Sequence, residues 1–158
     1  MKFVIIGANA AGMSAASRVK RKAPDNQVVV LEQTREVSYA ACGLPYYVAG
    51  LNDDIDLIRI RKVNAFEQAG VIVKLGSTVQ QVDFDHQIVY YQDETGEKRL
   101  ESYDKLLIAS GSSPKIPPIP GIHQSEIFPL KTLEHAQALK QALAAGPEHV
   151  VIVGGGYI

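Results

Sequence analysis

The sequence contains one cysteine, no tryptophan and no hydrophobic run long enough to cross a bilayer. A single cysteine excludes an internal disulfide framework, and no cluster of cysteine and histidine residues has the spacing of a metal site. The apolar run at residues 3–6 lacks the layout of a secretory signal, so we expect a cytoplasmic protein with no membrane partner. A net charge of −1 gives no electrostatic reason to expect nucleic acid as a partner.

The residues that are present have the composition of an ordinary globular protein. The 158 residues are 46% hydrophobic and 21% charged, which suffices for one full hydrophobic core and part of a second. Apolar runs and breakers predict a strand at 3–6, a helix at 11–22 and a strand at 27–31. This βαβ unit implies a parallel sheet with a right-handed crossover.

The rest of the chain alternates between helical and strand-like patterns. The patterns predict helices at 55–69 and 133–145, strands at 71–75, 78–84, 88–92, 100–108 and 149–153, and a polar hairpin turn at 93–98. A stretch rich in Ser, Gly and Pro at 110–123 separates them. The predicted fold class is α/β: a Rossmann-like domain with a parallel sheet and a small antiparallel element, then the start of a second Rossmann unit.

The end of the chain repeats the pattern of its beginning. Residues 150–154 form an apolar run that ends in glycine, as residues 3–7 do, but no helix follows to complete the unit. A strand without its crossover leaves a sheet face uncovered, so we expect an N-terminal fragment of a longer protein. We expect a first domain at 1–110, a connection at 111–125 and a truncated second domain at 126–158.

The segment GANAAG, residues 7–12, has both ends of a dinucleotide-binding glycine turn but carries Asn9 in place of the middle glycine. Gly7 allows a sharp turn out of the strand, and Gly12 allows the following helix to pack closely against it. Backbone N–H groups at the helix start then face a pyrophosphate. Asn9 tolerates unusual backbone angles, so the substitution weakens the motif without removing it.

Glu32 strengthens this interpretation because it lies 20 residues after Gly12, at the end of the second predicted strand. A carboxylate at that place accepts hydrogen bonds from ribose hydroxyls. The same charge would repel a 2′-phosphate, so this first site is not expected to take NADP.

Cys42 lies in SYAACGLPYY, residues 38–47, and two interpretations of it are open. A free cysteine is usually a small buried hydrophobe. A helical segment beginning near Cys42 would instead stabilise a thiolate that attacks a disulfide or a peroxide. Tyr47 stands where a second cysteine could be, so the oxidised form would be a sulfenic acid or a mixed disulfide with a small thiol.

Five motifs occur in the order found in one known family: GANAAGMSAA, VVVLEQ, SYAACGLPYYVAG, YDKLLIASGSSPKIPPIPG and VVIVGGGYI. Along essentially its whole length the chain resembles the single-cysteine branch of the flavoprotein pyridine nucleotide-disulfide oxidoreductases, which includes coenzyme A-disulfide reductase, NADH oxidase and NADH peroxidase. The resemblance implies FAD on the first βαβ unit, NAD(P)H on the second, and Cys42 as a redox nucleophile beside the flavin.

The resemblance also implies which residues contact the flavin cofactor. The glycine turn would hold the pyrophosphate, Glu32 the adenosine ribose, and Val79 would lie near the adenine. A second contact with the flavin would come from the turn at residues 109–111. The expected cofactor contacts are Gly7, Ala8, Asn9, Ala10, Ala11, Gly12, Glu32, Gln33, Ser38, Val79, Ala109, Ser110 and Gly111.

Several positions bear on the branch of the family that the chain resembles and on its substrate. Oxidase and peroxidase members carry a histidine at the position of Ala10, so its absence favours the coenzyme A-disulfide reductase branch. Ala41 replaces an asparagine that often precedes the cysteine in such reductases, which puts one substrate contact in doubt. The expected substrate contacts are Ser14, Arg18, Arg21 and Ser38. The first three share a helix face that suits coenzyme A phosphates but is equally typical of a solvated surface.

We therefore expect an enzyme that passes electrons from NAD(P)H through FAD and Cys42 to a small disulfide, polysulfide or peroxide. The alternatives are an NADH oxidase or peroxidase, a non-catalytic FAD-binding fragment, and a ferredoxin-reductase-like electron carrier in which Cys42 is incidental. The family implies a homodimer for the full-length protein, and this fragment by itself is not expected to turn over.

Overall fold

A computed structural model describes residues 1–155, and their contacts divide the chain into two compact units. The sheet unit comprises Met1–Ala40 and Ile58–Ser112. The helical unit comprises Ala41–Leu57 and the chain from Ser113 onward. Cys42 therefore belongs to the helical unit, whereas the other predicted site residues belong to the sheet unit.

The sheet unit is built on four parallel strands and a first helix: β1 (Lys2–Ile6), α1 (Ala10–Lys22), β2 (Gln27–Leu31), β3 (Val71–Lys74) and β7 (Lys105–Ile108). The order of the strands across the sheet is β3-β2-β1-β7. In the register of the sheet, Ile5 lies beside Val30 on one side and Leu107 on the other. The predicted βαβ unit and its parallel sheet are confirmed.

Both faces of this sheet are covered. Side chains of α1 and α3 (Val63–Glu67) pack with Ile5 and Val30 on one face. On the other face Val4 and Val29 pack with an antiparallel sheet of β4 (Thr78–Asp83), β5 (Ile88–Gln92) and β6 (Lys98–Ser102). Burial on both faces explains why β1 and β2 are continuous apolar runs rather than alternating ones.

A shared carboxylate joins the two sheets. Glu101 on β6 accepts hydrogen bonds from the ammonium groups of Lys2 on β1 and Lys74 on β3. Lys74 also donates to the hydroxyl of Tyr91 at 2.8 Å. Burial opposes ionisation of Glu101, but the two ammonium groups outweigh it and lower the pKa of this carboxyl below its ordinary value. The antiparallel sheet is thus tied to both a central and an edge strand of the parallel sheet.

The helical unit contains the cysteine. A 3₁₀ turn at Ala41–Gly43 leads directly into α2 (Leu44–Val48), and α2 packs against α4 (Leu133–Ala144). Leu44 and Leu133 are both buried there. The Oγ1 atom of Thr132 accepts a hydrogen bond from the amide of His135 at 3.2 Å, which caps the start of α4.

Three element predictions are wrong. The helix predicted at 55–69 is instead a 3₁₀ turn at Ile55–Ile58 and the short α3, because residues 58–60 form an extended bridge with residues 38–40.

The strand predicted at 100–108 is divided where the amide of Tyr103 donates to Gln87 O and the amide of Asp104 donates to Lys2 O, since the chain changes sheets at that point. No strand forms at 149–153; among the described residues this segment has no pairing strand, and Val151 is 86% exposed. The rest of the terminal glycine motif, residues 156–158, lies outside the described residues.

Candidate functional site

The predicted nucleotide-binding residues meet at one edge of the parallel sheet. Gly7, Glu32 and Ala109 each follow directly after a strand, and the carboxyl ends of parallel strands lie together. Hydrogen bonds fix these turns to neighbouring strands: Gly7 N donates to Leu31 O and Ala109 N to Ile6 O, both at 2.8 Å. Topology therefore assembles the site from segments far apart in sequence.

The glycine turn is as tight as its sequence predicts. Gly7 has φ +102, and a Cβ placed there would lie 2.3 Å from the carbonyl oxygen of Ala109. A Cβ on Gly12 would lie 1.9 Å from the carbonyl oxygen of Gly7. The first-turn amides of Ala10 and Ala11 have no intrahelical acceptor, as in every α-helix. No side chain caps the start of α1 in their place. Close backbone approach and outward N–H groups fit the pyrophosphate of a dinucleotide.

Glu32 is held rigidly beside this turn. Its Oε2 accepts from the amide of Ala8 at 2.7 Å, and its Oε1 accepts from the amide and hydroxyl of Thr34 at 2.8 and 2.9 Å. Each carboxylate oxygen retains acceptor capacity, so the group can also meet a ribose hydroxyl. Sequence analysis missed Thr34, although a threonine two residues after an acid at a strand end is a local pattern that it could have used.

Asn9 has a role that the motif does not predict. Its Oδ1 accepts from the amide of Tyr39 at 3.1 Å, next to the Ser38 amide, which donates to Ala8 O at 2.9 Å. Ser38 adopts φ +46, a conformation that a non-glycine residue keeps only when its surroundings enforce it. The segment that precedes the cysteine is therefore bonded to the glycine turn by two consecutive amides.

The base of the cysteine-bearing segment is closed on itself. Ala40 N donates to Ile58 O at 2.9 Å, and Ile60 N donates to Ser38 O at 2.8 Å. The guanidinium group of Arg59 also forms a bidentate ion pair with the carboxylate of Glu36. Residues 41–57 thus leave and rejoin the sheet unit at one hydrogen-bonded point.

Cys42 is exposed, which excludes the interpretation of this thiol as buried filler. The predicted helical segment begins here, as the 3₁₀ turn that leads into α2. That helix has only five residues, so its dipole is much weaker than that of a long helix.

The other predicted cofactor contacts are placed as follows. Val79 lies on β4 beside a bulge at Gln80, and its half-buried side chain packs with Tyr91. Ser77 N donates to Glu32 O at 2.8 Å, which brings the start of β4 to the edge of the parallel sheet where Glu32 lies. Gln33, Ser110 and Gly111 are exposed.

The predicted substrate-binding residues of α1 share its exposed face. Ser14, Arg18 and Arg21 are exposed, whereas Gly12 and Ala16 are buried on the opposite side. Within residues 1–155, no helix is long and apolar enough to span a bilayer. The same residues contain no group of three or more His, Cys, Asp or Glu side chains placed to hold a metal ion.

A family model described as pyridine nucleotide-disulphide oxidoreductase matches residues 1–158. The chain belongs to this family. It is 40% identical over 99% of its length to the NAD(P)H coenzyme A polysulfide/persulfide reductase of Pyrococcus horikoshii, and covers 35% of that protein. It is 31% identical over its whole length to an NADH oxidase of Lactococcus lactis, and covers 36% of that protein.

A solved structure supports the same relationship. The structure of an NAD-dependent persulfide reductase from A. fulgidus matches 92% of the chain with a TM-score of 0.88 and 34% identity. The match covers 28% of that protein. The present chain therefore spans about a third of the length of the curated relatives that it matches.

Proposed function

We propose that this chain is the flavin-binding part of an NAD(P)H-dependent oxidoreductase that reduces a small disulfide, such as coenzyme A disulfide or a polysulfide, through Cys42. The observation that carries the proposal is an exposed single cysteine that closely follows Ser38 and Tyr39, whose amides are hydrogen-bonded to a glycine turn of the dinucleotide-binding type. The relationship to a coenzyme A polysulfide/persulfide reductase supports it. In this proposal residues 1–110 belong to the FAD domain, 111–125 connect, and 126–158 begin the NAD(P)H domain of a homodimer.

A bound FAD would supply the two-electron redox chemistry that links NAD(P)H to the thiol. The residues of this chain would bind and orient it. The amides that begin α1 would bind the pyrophosphate and Glu32 would accept a hydrogen bond from a ribose hydroxyl, while the backbone at Ala109 and Ser110 passes beside the glycine turn. Val79 would lie at the adenine end.

Cys42 would supply the thiol chemistry. Its thiolate attacks one sulfur of the substrate disulfide, a bond forms between the two sulfurs, and the other substrate sulfur leaves as a thiolate. Two electrons from NAD(P)H and a proton then cleave this mixed disulfide, which releases the second thiol and regenerates Cys42. The balance is one NAD(P)H, one proton and one disulfide consumed for two thiols formed.

The exposed face of α1 supports coenzyme A as the carrier of the disulfide. Arg18 and Arg21 lie on that face with Ser14, and guanidinium groups match the geometry of phosphate oxygens. Ser38, in its strained conformation at the entrance to the cysteine segment, is a further candidate for substrate contact.

A second candidate is reduction of oxygen or peroxide. The similarity to the NADH oxidase of Lactococcus lactis favours it. Ala10, where oxidases and peroxidases of the resembled branch carry a histidine, argues for disulfide reduction instead.

The test compares wild-type and Cys42→Ser full-length protein with coenzyme A disulfide, hydrogen peroxide, oxygen and ferricyanide. Ferricyanide takes electrons directly from a flavin, so its reduction serves as the control for flavin loading. We expect Cys42→Ser to lose disulfide reduction by at least about 1,000-fold, the scale for removing a nucleophile, and to keep ferricyanide reduction. Full disulfide reduction by the serine variant would refute the thiol mechanism, and faster turnover of oxygen than of disulfide in wild type would favour the oxidase.

A further inference from the structure

A half-buried lysine, Lys140, lies on α4. Leu133, Ala136 and Lys140 are spaced i, i+3 and i+7, so they lie on one face of the helix. Leu133 and Ala136 are 1% and 0% exposed, and α4 packs against α2. The side chain of Lys140 is 26% exposed. A lysine at such a position is retained when its ammonium group has partners.

Two partners of Lys140 come from the cysteine-bearing segment. Its Nζ lies 4.2 Å from the centroid of the Tyr47 ring and donates to Asp53 Oδ1 at 2.7 Å. Tyr47 lies on α2, three residues after the buried Leu44 and therefore on the same helix face. Asp53 follows in the loop that leads back toward Ile58. One ammonium group thus contacts both halves of residues 41–57.

We propose that Lys140 is a positioning residue for Cys42: by holding Tyr47 and Asp53 to α4, it fixes the orientation of the segment that carries the thiol. The proposal rests on the proposed function of Cys42. The 3₁₀ turn of Cys42 runs without a break into α2, so movement of Tyr47 is transmitted to the thiol along a few residues of helix. The base of the segment is already closed by the Ala40–Ile58 hydrogen bond, which leaves its outer part to be held by Lys140.

The central variant is Lys140→Met in the full-length protein, which keeps an apolar side chain of similar length and removes the charge. Loss of a cation–π contact raises the population of molecules in which residues 41–57 are detached from α4 by roughly 2- to 30-fold. We therefore expect disulfide turnover to fall by a factor of about 2 to 30. Reduction of ferricyanide and the KM for NAD(P)H are expected to stay at wild-type values, because neither uses Cys42. Lys140→Arg retains both contacts and is expected to restore turnover.

Matched variants separate positioning from general stability. Tyr47→Phe keeps the ring and is expected to behave as wild type, whereas Tyr47→Leu is expected to behave as Lys140→Met. Asp53 is 84% exposed and the adjacent Asp54 is also exposed, so neither substitution to Asn threatens folding. Asp53→Asn is expected to lower disulfide turnover, and Asp54→Asn is expected to leave it unchanged.

The rate of alkylation of native Cys42 by iodoacetamide gives a readout that needs no electron transfer. We expect Lys140→Met and Asp53→Asn to change this rate, and Lys140→Arg and Asp54→Asn to leave it at the wild-type value. Wild-type alkylation and turnover in both Lys140→Met and Asp53→Asn would overturn the positioning role. If that result is obtained while Cys42→Ser abolishes disulfide reduction, only the role of Lys140 is refuted. If Cys42→Ser still reduces disulfides, the proposed function of Cys42 is refuted as well.

Discussion

Gly12→Ala should destabilise this protein although the substitution normally favours a helix. Replacing glycine by alanine within a helix contributes about 1 kcal/mol of stability through backbone entropy. Here the new Cβ would lie 1.9 Å from the carbonyl oxygen of Gly7, where ordinary contact needs at least 3.4 Å. The start of α1 must therefore move away by about 1.5 Å, a difference of those two distances. Overpacking of this kind costs about 3 kcal/mol, so we expect a net loss of about 2 kcal/mol.

The assay is urea unfolding of the full-length protein, in which the loss of stability appears as a lower unfolding midpoint. Flavin retained after gel filtration should fall as well, because the displaced helix start carries the amides that are proposed to bind the pyrophosphate. Gly146→Ala is the control: Gly146 has φ +73 with nothing within 4 Å of its Cβ position, so it should lose only about 1 kcal/mol and keep its flavin. A Gly12→Ala protein as stable as wild type would show that helix and turn do not approach so closely.

Two further variants address stability and substrate. Glu101→Gln should cost about 2 kcal/mol at neutral pH, since hydrogen bonds to charged groups contribute on this scale. The pKa of Glu101 is lowered in the folded protein, so its contribution is present above the ordinary glutamate range and lost as pH falls through the folded pKa. Melting temperatures of variant and wild type should converge in acid; a constant gap would contradict this. Replacing Arg18 and Arg21 by Gln should raise KM about fivefold for coenzyme A disulfide, but not for a small uncharged disulfide, in steady-state assays; equal effects on both would exclude a phosphate contact.

Local patterns predicted well the elements that form the carboxyl-terminal edge of the parallel sheet. β1, α1 and β2 follow from uninterrupted apolar runs and breakers, and the place of Glu32 follows from the end of β2. The hydrogen bond from Tyr39 to Asn9 could not be predicted, because it joins residues whose separation in sequence carries no periodic signal. Asn9 was interpreted only as a tolerated replacement for glycine, whereas its side chain holds the segment that leads to the cysteine.

The wrong predictions share a physical cause. Residues 55–69 have helix-forming composition, but pairing of residues 58–60 with 38–40 draws that stretch of backbone into an extended form. Residues 149–153 have strand-forming composition, but a strand requires a neighbour to satisfy its amides and carbonyls. Lys140 was overlooked because a lysine among alanines and leucines gives no local sign that it faces an aromatic ring. In each case a distant partner decides the outcome.

The hydrogen bond between Ala40 and Ile58 has a consequence for how such proteins can diversify. Because the two ends of residues 41–57 meet at one point, this insert can lengthen, shorten or change its chemistry while the strands on either side keep their register. Under the proposed function, the thiol-bearing residues 41–57 and the nucleotide-binding strands are then separable, so residues 41–57 could be exchanged to give the same framework a different electron acceptor.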